Sequence, residues 1–515
     1  MESLNRRVFC GSVAATSLTA SDTAAAAAWN AGPVRHILPA ASHDAIRLKT
    51  SFSEPLRVPP VLELNGRRIA GQATAPGGRH WRFEGGGLRP NWSHSLRITA
   101  GGQGATDRWS LRTTPAPDAR PGAFRLLAFT CAGGDEEPAT NGRRAHIPLT
   151  TRQALLQRGL SFAPDAVLAI GDHVYWDQES GLRRNNGQPS AINRRIGMLS
   201  QPADSAANLQ MLATVGDRQI ASLYGAALRS TPVWFVRDDH DYFENDEFYG
   251  ERGTFPASPL NRGATQQLQA MFWPEFLPDV NRPGTLPGVD CSFGTMRWGR
   301  LFEGLLYDCR GYLTVDADSA AFVPPAAEAW LAGRTGDADI RHVMQVPSTP
   351  WGWSAGKWGE WYPDALGADG KPAARPDKPG WRAGWFEQHQ RLLALAGSRG
   401  RDSLVASGDL HAVGAARIRR SGGLTPQSGV HSILTGPLGV DDLAFPSSFR
   451  GTAAFIPADV DLETHQAPLE KTGFTILDFA PQGIRIRQFA WRSPSPLTEI
   501  AGLQPILDKV IETRA

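Results

Sequence analysis

Ala166-Val167-Leu168-Ala169-Ile170-Gly171-Asp172-His173-Val174-Tyr175 is the stretch on which the fold class turns. Its apolar half runs without polar alternation and is partly β-branched, the pattern of a strand covered on both faces. It then breaks at once into a glycine and an acidic residue. The layout recurs twice: Val233-Trp234-Phe235-Val236 runs into Arg237-Asp238-Asp239-His240-Asp241, and Leu404-Val405-Ala406 leads through Ser407 into Gly408-Asp409-Leu410-His411. Phe124 to Phe129 forms a further such run and closes on Cys131, followed by Gly133-Gly134. Oxygen, imidazole and thiol donors therefore gather at strand ends along one sheet edge, where open α/β sheets bind ligands.

Helical patterns fall between these strands: Leu149 to Leu160, segments within Ala206 to Leu228, and Trp385 to Leu395 ahead of the Leu404 strand. Alternation of strands and helices predicts βαβ units in a layered α/β domain. Asp290 to Tyr312 reads as an antiparallel hairpin turning at Met296-Arg297-Trp298-Gly299-Arg300-Leu301, so mixed sheets are expected. Upstream, Val34 to Thr114 is all β, with about seven short strands separated by Asn65-Gly66, Pro76-Gly77-Gly78 and Gly85-Gly86-Gly87, the pattern of a small β-sandwich. Pro115 to Gly122 has linker composition. The expected organisation is a leader over 1–30, a sandwich over 33–116, a layered domain over 123–494, and a C-terminal amphipathic helix over 495–515. That helix is read from Leu497, Ile500, Leu503, Ile506, Leu507, Val510 and Ile511.

Composition narrows the class. With 515 residues, 41% hydrophobic and 20% charged, the chain has ordinary globular usage and length for two or three domains. Scattered charge, 53 basic against 51 acidic residues, leaves no footprint for specific nucleic-acid binding. Asn5-Arg6-Arg7-Val8-Phe9, a weakly apolar stretch and the alanines Ala24 to Ala28 fit a twin-arginine export signal, with a disordered alanine-rich leader as the competing reading. Export would place the protein in the periplasm or outside the cell, with the twin-arginine machinery as a partner. No stretch is long and apolar enough for a spanning helix. Cys291 and Cys309 flank the hairpin; they either bridge, in an oxidising compartment, or serve as buried apolar residues.

Taken singly, a Gly-Asp pair after a strand is a turn or helix cap, and a lone histidine is a structural hydrogen-bonding residue. Three such motifs, each at the end of an apolar strand, point instead to a two-metal hydrolase. That chemistry needs carboxylates and imidazoles around cations that lower the pKa of water and hold in-line phosphoryl geometry. Asp172, Asp239, Asp409 and His411 are suitable ligands, and Tyr175 follows Asp172 closely enough to share its ion. A phenolate at neutral pH calls for a strong cation such as trivalent iron, and the Cys131 thiolate suits a transition metal. Two other readings compete. Gly352-Trp353-Ser354-Ala355-Gly356 matches the serine-hydrolase elbow, yet Pro347, Pro350, Gly359 and Pro363 disfavour the strand and helix that motif needs. A non-catalytic secreted binding protein with a vestigial metal site is the second.

These residues resemble the PhoD-type alkaline phosphatases and phosphodiesterases of the metallophosphoesterase superfamily. The resemblance rests on Cys131, Gly171-Asp172-x-x-Tyr175, Asp238-Asp239-His240-Asp241 with Glu244-Asn245, Asp308-x-Arg310-x-Tyr312 and Gly408-Asp409-x-His411. It extends to the leader and the sandwich, so it covers nearly the whole chain. It implies an α/β metallophosphoesterase-like layered β-sheet sandwich flanked by helices, preceded by a fibronectin III-like sandwich. It also implies a phosphomonoesterase or phosphodiesterase in which metal-activated hydroxide attacks phosphorus, acting as a monomer on a small-molecule or lipid phosphoester. Trivalent iron and calcium, or other divalent metals, are the implied cofactors. Cys131, Asp172, Tyr175, Asp409 and His411 would lie near the iron, Asp172 also facing a second metal. Asp239 stands at the position of the superfamily's asparagine ligand, and Asn245 would be a second-metal ligand or orienting residue. His240 would protonate the leaving oxygen or steady the transition state. Arg310 would fork onto phosphate or pair with Asp308. This sequence departs from the family in His173, in Cys309 and in the tryptophan-rich segment Trp351 to Tyr362, which either lines a leaving-group pocket or packs as loop aromatics.

Overall fold

The run Phe124–Thr130 forms a strand whose side chains alternate between two apolar environments. Leu127 and Phe129 enter one cluster, Leu126 and Ala128 another. Covering both faces is what removed the polar alternation from the sequence. The computed structural model describes residues 29–135, 143–176, 201–243, 256–278, 293–316, 319–366, 372–374, 378 and 380–512. The arginine pair of the leader, Glu244, Asn245 and Cys291 lie outside the described residues.

Two mixed sheets stack face to face. In the first, six-stranded, Phe124–Thr130, Ala166–Ile170 and Val233–Val236 run parallel, and Thr472–Ala480, Gly483–Trp491 and Leu507–Glu512 complete it antiparallel. The second, seven-stranded, contains Phe302–Tyr307, His342–Pro347, Ser403–Ser407 and Val430–Thr435 in successive parallel pairs. Phe293–Trp298 pairs antiparallel with Phe302–Tyr307, which is the expected hairpin. Leu126, Leu168 and Trp234 of one sheet share a core with Leu306, Met344 and Leu404 of the other. Helices Leu149–Leu160, Ala206–Gly216 and Pro259–Phe272 cover the far face of the first sheet. Pro325–Thr335 and Ala383–Gly397 cover that of the second. Both sheets send the carboxyl ends of parallel strands to one rim, where the chemistry-bearing loops begin.

Ahead of these layers, Val34–Ala41, Ala45–Phe52, Gln72–Ala73 and His80–Gly86 form one small sheet. Val61–Leu64, Arg67–Ala70, Ser93–Ala100, Gln103–Gly104 and Trp109–Arg112 form another. From Ala31 onward the chain is one compact unit. The sandwich is bound to helix Pro259–Phe272 by polar contacts at low exposure: His36 Nε2 lies 3.0 Å from the Phe272 carbonyl, and Lys49 Nζ donates to the Ala270 carbonyl and to Glu275, each at 2.8 Å.

One expectation is corrected. The tail is not an amphipathic helix. A short 3-10 turn, Leu497–Gly502, is followed by the strand Leu507–Glu512, which pairs antiparallel with Gly483–Gln488. Pro505 cannot donate in a helix and blocks continuation, while Val510 and Ile511 favour the strand that an open sheet edge can pair. Apolar spacing of three to four residues suggested a helix because the turn and the strand together happen to reproduce it. Of the two readings open for Cys309, a bridge or a buried apolar residue, the second holds: Cys309 is a free, buried thiol, and Cys291 lies outside the described residues.

Candidate metal centre

Each site residue sits where a parallel strand stops. Cys131 follows Phe124–Thr130, Asp172 follows Ala166–Ile170, and Asp238 and Asp239 follow Val233–Val236. From the second sheet, Asp308 and Arg310 follow Phe302–Tyr307, and Asp409 and His411 follow Ser403–Ser407. Cys131, Asp172, Asp409 and His411 adopt positive φ of 48°, 55°, 63° and 47°. Non-glycine residues held there cost about 1–3 kcal/mol each, and such strain collects at functional sites. The glycines of the Gly-Asp motifs have steric reasons. A Cβ on Gly171 would lie 2.4 Å from the Asp238 Cβ, and one on Gly408 would lie 2.8 Å from the Ile170 carbonyl oxygen.

Asp172 is the centre of the first group. Its Oδ2 accepts from the Cys131 thiol at 3.2 Å and from the Tyr175 hydroxyl at 2.9 Å. The same hydroxyl lies 3.1 Å from His411 Nε2. His411 Nδ1 faces the Ala444 carbonyl at 2.6 Å. A carbonyl can only accept, so Nδ1 carries the proton and Nε2 turns its lone pair into the site. The ligand atoms of Cys131, Asp172 and His411 lie within 4.8 Å of one another, all buried. Burial, then the Asp172 carboxylate, pushes the Cys131 thiol and the Tyr175 phenol well above their usual pKa values. Asp172 Oδ1 has no hydrogen-bond partner among the described residues. One cation replacing the thiol and phenol protons would satisfy this donor set, since a bound metal deprotonates such ligands. The residues of this group therefore fit a metal.

A second group, Asp238, Asp239 and Asp409, adjoins it. Asp409 shares this group by its carboxylate contacts. Lys357 Nζ donates to Asp239 Oδ2 at 3.1 Å and to Asp409 Oδ1. Arg310 donates from Nε to Asp238 Oδ1 at 2.7 Å, from Nη2 to Asp409 Oδ2 at 3.2 Å and from Nη1 to the Gly359 carbonyl at 2.8 Å. Burial alone would raise the Asp239 carboxyl, but Lys357, His240 and Arg310 hold it well below the carboxylate range. Burial raises Asp238 well above that range against the opposing Arg310, and its neighbours Asp409, Asp239 and Asp172 add to the rise. Arg310 thus compensates the Asp238 and Asp409 carboxylates. Asp308 accepts from the backbone N–H groups of Arg310 and Gly311, at 2.7 and 2.9 Å.

His240 has 8% of its surface exposed, against 0% for Cys131 and Asp239 and 1% for Asp172, and so stands nearest the open side. Its ring centroid lies 4.2 Å from that of Tyr175. His173 points away: its Nε2 lies 2.9 Å from the Val236 carbonyl, its ring packs edge-on against Phe235, and burial lowers its pKa to about 4. Trp351, Trp353 and Trp361 are packing residues, each no more than 1% exposed, whereas Trp358 is partly exposed. Ser354 faces Glu360 Oε2 at 2.6 Å, and Lys378 Nζ completes that cluster at 3.0 Å, so the elbow motif is a loop-folding device.

Sequence reasoning missed several residues. Asp241 accepts from the backbone N–H of Asp172 at 2.9 Å, His173 at 2.9 Å and Asp238 at 3.0 Å, tying two strand-end loops together. Arg152 caps the carbonyls of Ala132, Gly133 and Gly134. Gln219 bridges Gly134 and Tyr175. His146 stacks its ring 4.6 Å from that of Tyr175. Asp241 lay inside a quoted motif; for the others no sequence signal distinguishes them from ordinary helix and loop residues. Lys357 carried one faint signal, a lysine set between tryptophans in an arginine-rich chain.

Among solved structures, PhoD aligns over 90% of this chain and 87% of its own, with a TM-score of 0.58 at 14% identity. The fold is the metallophosphoesterase-type fold of PhoD. A purple acid phosphatase, PPD1, from yellow lupin (Lupinus luteus) seeds shares it over 94% of this chain and 75% of its own, with a TM-score of 0.53 at 12% identity. No family model matches the sequence, and no curated protein matches it. At these identities the likeness to PhoD and PPD1 is one of fold, and the side-chain groups that could hold a metal are read from this chain alone.

Proposed function

We propose that this protein is a metal-dependent phosphoester hydrolase of the PhoD kind, acting on phosphomonoesters or phosphodiesters. The observation that carries the reading is the meeting of the Cys131 thiol and Tyr175 hydroxyl on one oxygen of Asp172, with the His411 lone pair beside them, at the strand-end rim of this fold. Cys131, Asp172, Tyr175 and His411 would hold the metal, with trivalent iron the ion suited to a thiolate and a phenolate. When bound, such an ion polarises a phosphoryl oxygen and brings the pKa of water toward neutrality.

The chain's own groups do the rest. His240, the most open of the site residues, donates a proton from its imidazole to the departing oxygen, a contribution of about 10²- to 10⁴-fold. Asp239, beside it, accepts from the His240 backbone N–H at 3.0 Å and orders the turn that carries the ring. Asp241 and Asp308 fix the loops, and the near-complete burial of the ligand groups keeps bulk water from them. Asn245 is kept in this proposal as a ligand or orienting residue on sequence grounds alone. The arginine pair of the leader supports export by the twin-arginine route to the periplasm or beyond, where the protein acts as a monomer on a small-molecule or lipid phosphoester.

The test is hydrolysis of 4-nitrophenyl phosphate and bis(4-nitrophenyl) phosphate by the purified, metal-analysed protein. Asp172→Ala is expected to abolish both metal retention and activity. His240→Ala is expected to keep the metal and lose turnover by about 10²-fold or more. Full activity after metal stripping would sink the proposal.

A further inference from the structure

Gly133-Gly134, the pair that follows Cys131, is packed on two sides. A Cβ on Gly133 would lie 2.6 Å from the His173 carbonyl oxygen, so the loops of Cys131 and Asp172 touch through it. A Cβ on Gly134, which has φ of 108°, would lie 2.3 Å from Cδ2 of His146. That glycine leaves room for one imidazole ring. The ring it admits faces a candidate ligand: the His146 centroid lies 4.6 Å from that of Tyr175, with 58° between the planes, and the His240 ring approaches the same phenol at 4.2 Å and 41°.

The backbone that carries His146 is fixed as well. His146 bridges Val440 in antiparallel fashion. The Ile147 N–H donates to the Gly439 carbonyl at 2.9 Å, the Asp441 N–H to the Ala145 carbonyl at 2.7 Å, and the Leu443 N–H to the Arg144 carbonyl at 2.8 Å. Gly439 in turn abuts Gly133, whose carbonyl oxygen would lie 2.6 Å from a Cβ there, and its own N–H donates to the Cys131 carbonyl at 2.9 Å. Further along the same loop, the Ala444 carbonyl faces His411 Nδ1 at 2.6 Å. Ala145, Val440, Ala444 and Phe445 join Cys131 and Tyr175 in one buried apolar cluster. One loop thus orients His411 directly and reaches Tyr175 through the His146 ring.

A phenol oxygen goes where its ring goes. The contacts of the Tyr175 hydroxyl, with Asp172 Oδ2 at 2.9 Å and His411 Nε2 at 3.1 Å, therefore hold only while the ring keeps its angle. Such angles are set by supporting side chains that are themselves locked by packing. Among the described residues, the three groups with converging ligand atoms do not include His146, so its route to an ion runs through Tyr175. We propose that His146 is a positioning residue of the metal centre, holding the Tyr175 phenol so that its oxygen reaches the ion bound by Cys131, Asp172 and His411. This rests on the proposed function, in that Tyr175 is a ligand of that ion.

The experiment equilibrates the full chain with ferric iron, as wild type, His146→Ala, Tyr175→Phe and the double variant. Its readouts are the visible phenolate-to-iron charge-transfer band and the iron affinity in competition with citrate. His146→Ala is expected to shift the band and to lower the affinity by about 10- to 100-fold. In the Tyr175→Phe background the same change should cost no more than about 2-fold, because the ring that His146 supports has lost its oxygen. An unmoved band and affinity in folded His146→Ala overturn the inference, as does an equal loss in both backgrounds. So does a wild type that binds no ferric iron, or binds it without the band. Hydrolysis of 4-nitrophenyl phosphate, followed in parallel, tests the hydrolase reading by itself: its absence from the iron-loaded wild type overturns that reading, while the band and the affinities decide on His146. Should His146→Ala fail to fold, His146→Gln, which loses the ring and keeps most of the volume, takes its place under the same outcomes.

Discussion

Gln219 shows how a residue with no chemistry of its own can govern the site. Its amide nitrogen donates to the Tyr175 carbonyl at 2.8 Å, and its amide oxygen accepts from the N–H groups of Gly134 and Tyr175, each at 2.8 Å. The side chain arises from the π-helical turn Asp217–Ala221, a local irregularity of the kind often found at functional sites. Gln219→Leu keeps the volume and strands three buried backbone groups. A loss of about 3 kcal/mol in urea unfolding and a fall of about 10- to 100-fold in metal affinity are expected. Unchanged affinity in a metal titration would refute the positioning role. At this scale the ligand types were legible in sequence, because Cys131, Asp172, Tyr175 and His411 each stand next to a strand end. Their partners were not. Asp409 chose Lys357 and Arg310, residues 52 and 99 positions away, and no local pattern records such a pairing.

The strands that position the site were legible as elements, since apolar runs bounded by Gly-Asp turns leave little alternative. The last strand was not. Leu507–Glu512 exists because Gly483–Trp491 offers a free edge, and Ile511, 4% exposed, completes the core between the two large sheets. Ile511→Ala should cost about 3 kcal/mol in urea or thermal unfolding. A surface helix docked loosely would lose no more than about 0.5 kcal/mol on the same change, so the measurement separates the two readings of the tail. The nine strands of the small sandwich, against about seven expected, include two-residue pairings at Gln72–Ala73 and Gln103–Gly104 too short to leave a sequence pattern.

Across the whole molecule, burial of neutral histidines sets the response to acid. Burial, with His80 adding, lowers His36 to about 3, and burial lowers His389 to about 3 and His80, His173 and His342 to about 4. Above about pH 6.5 these rings are neutral folded or unfolded and contribute no pH dependence. Below it the unfolded chain takes up protons that the fold excludes, so stability falls with pH down to the folded values, by up to about 1.4 kcal/mol per pH unit for each ring. Urea midpoints should therefore drop steeply between pH 6.5 and 4. His389→Leu should flatten that slope, and an equal slope in the variant would contradict the assignment. What the sequence determined by itself is the set of strands and the ligand types at their ends, because hydrophobic runs and the turn residues that stop them are local properties of the chain. Tertiary structure alone decided the tail strand, the free thiol of Cys309 and the placing of Lys357 and Arg310 on the second carboxylate group. Each depends on an edge, a register or a charge supplied by a distant segment, and which distant segments meet is fixed when the two sheets stack.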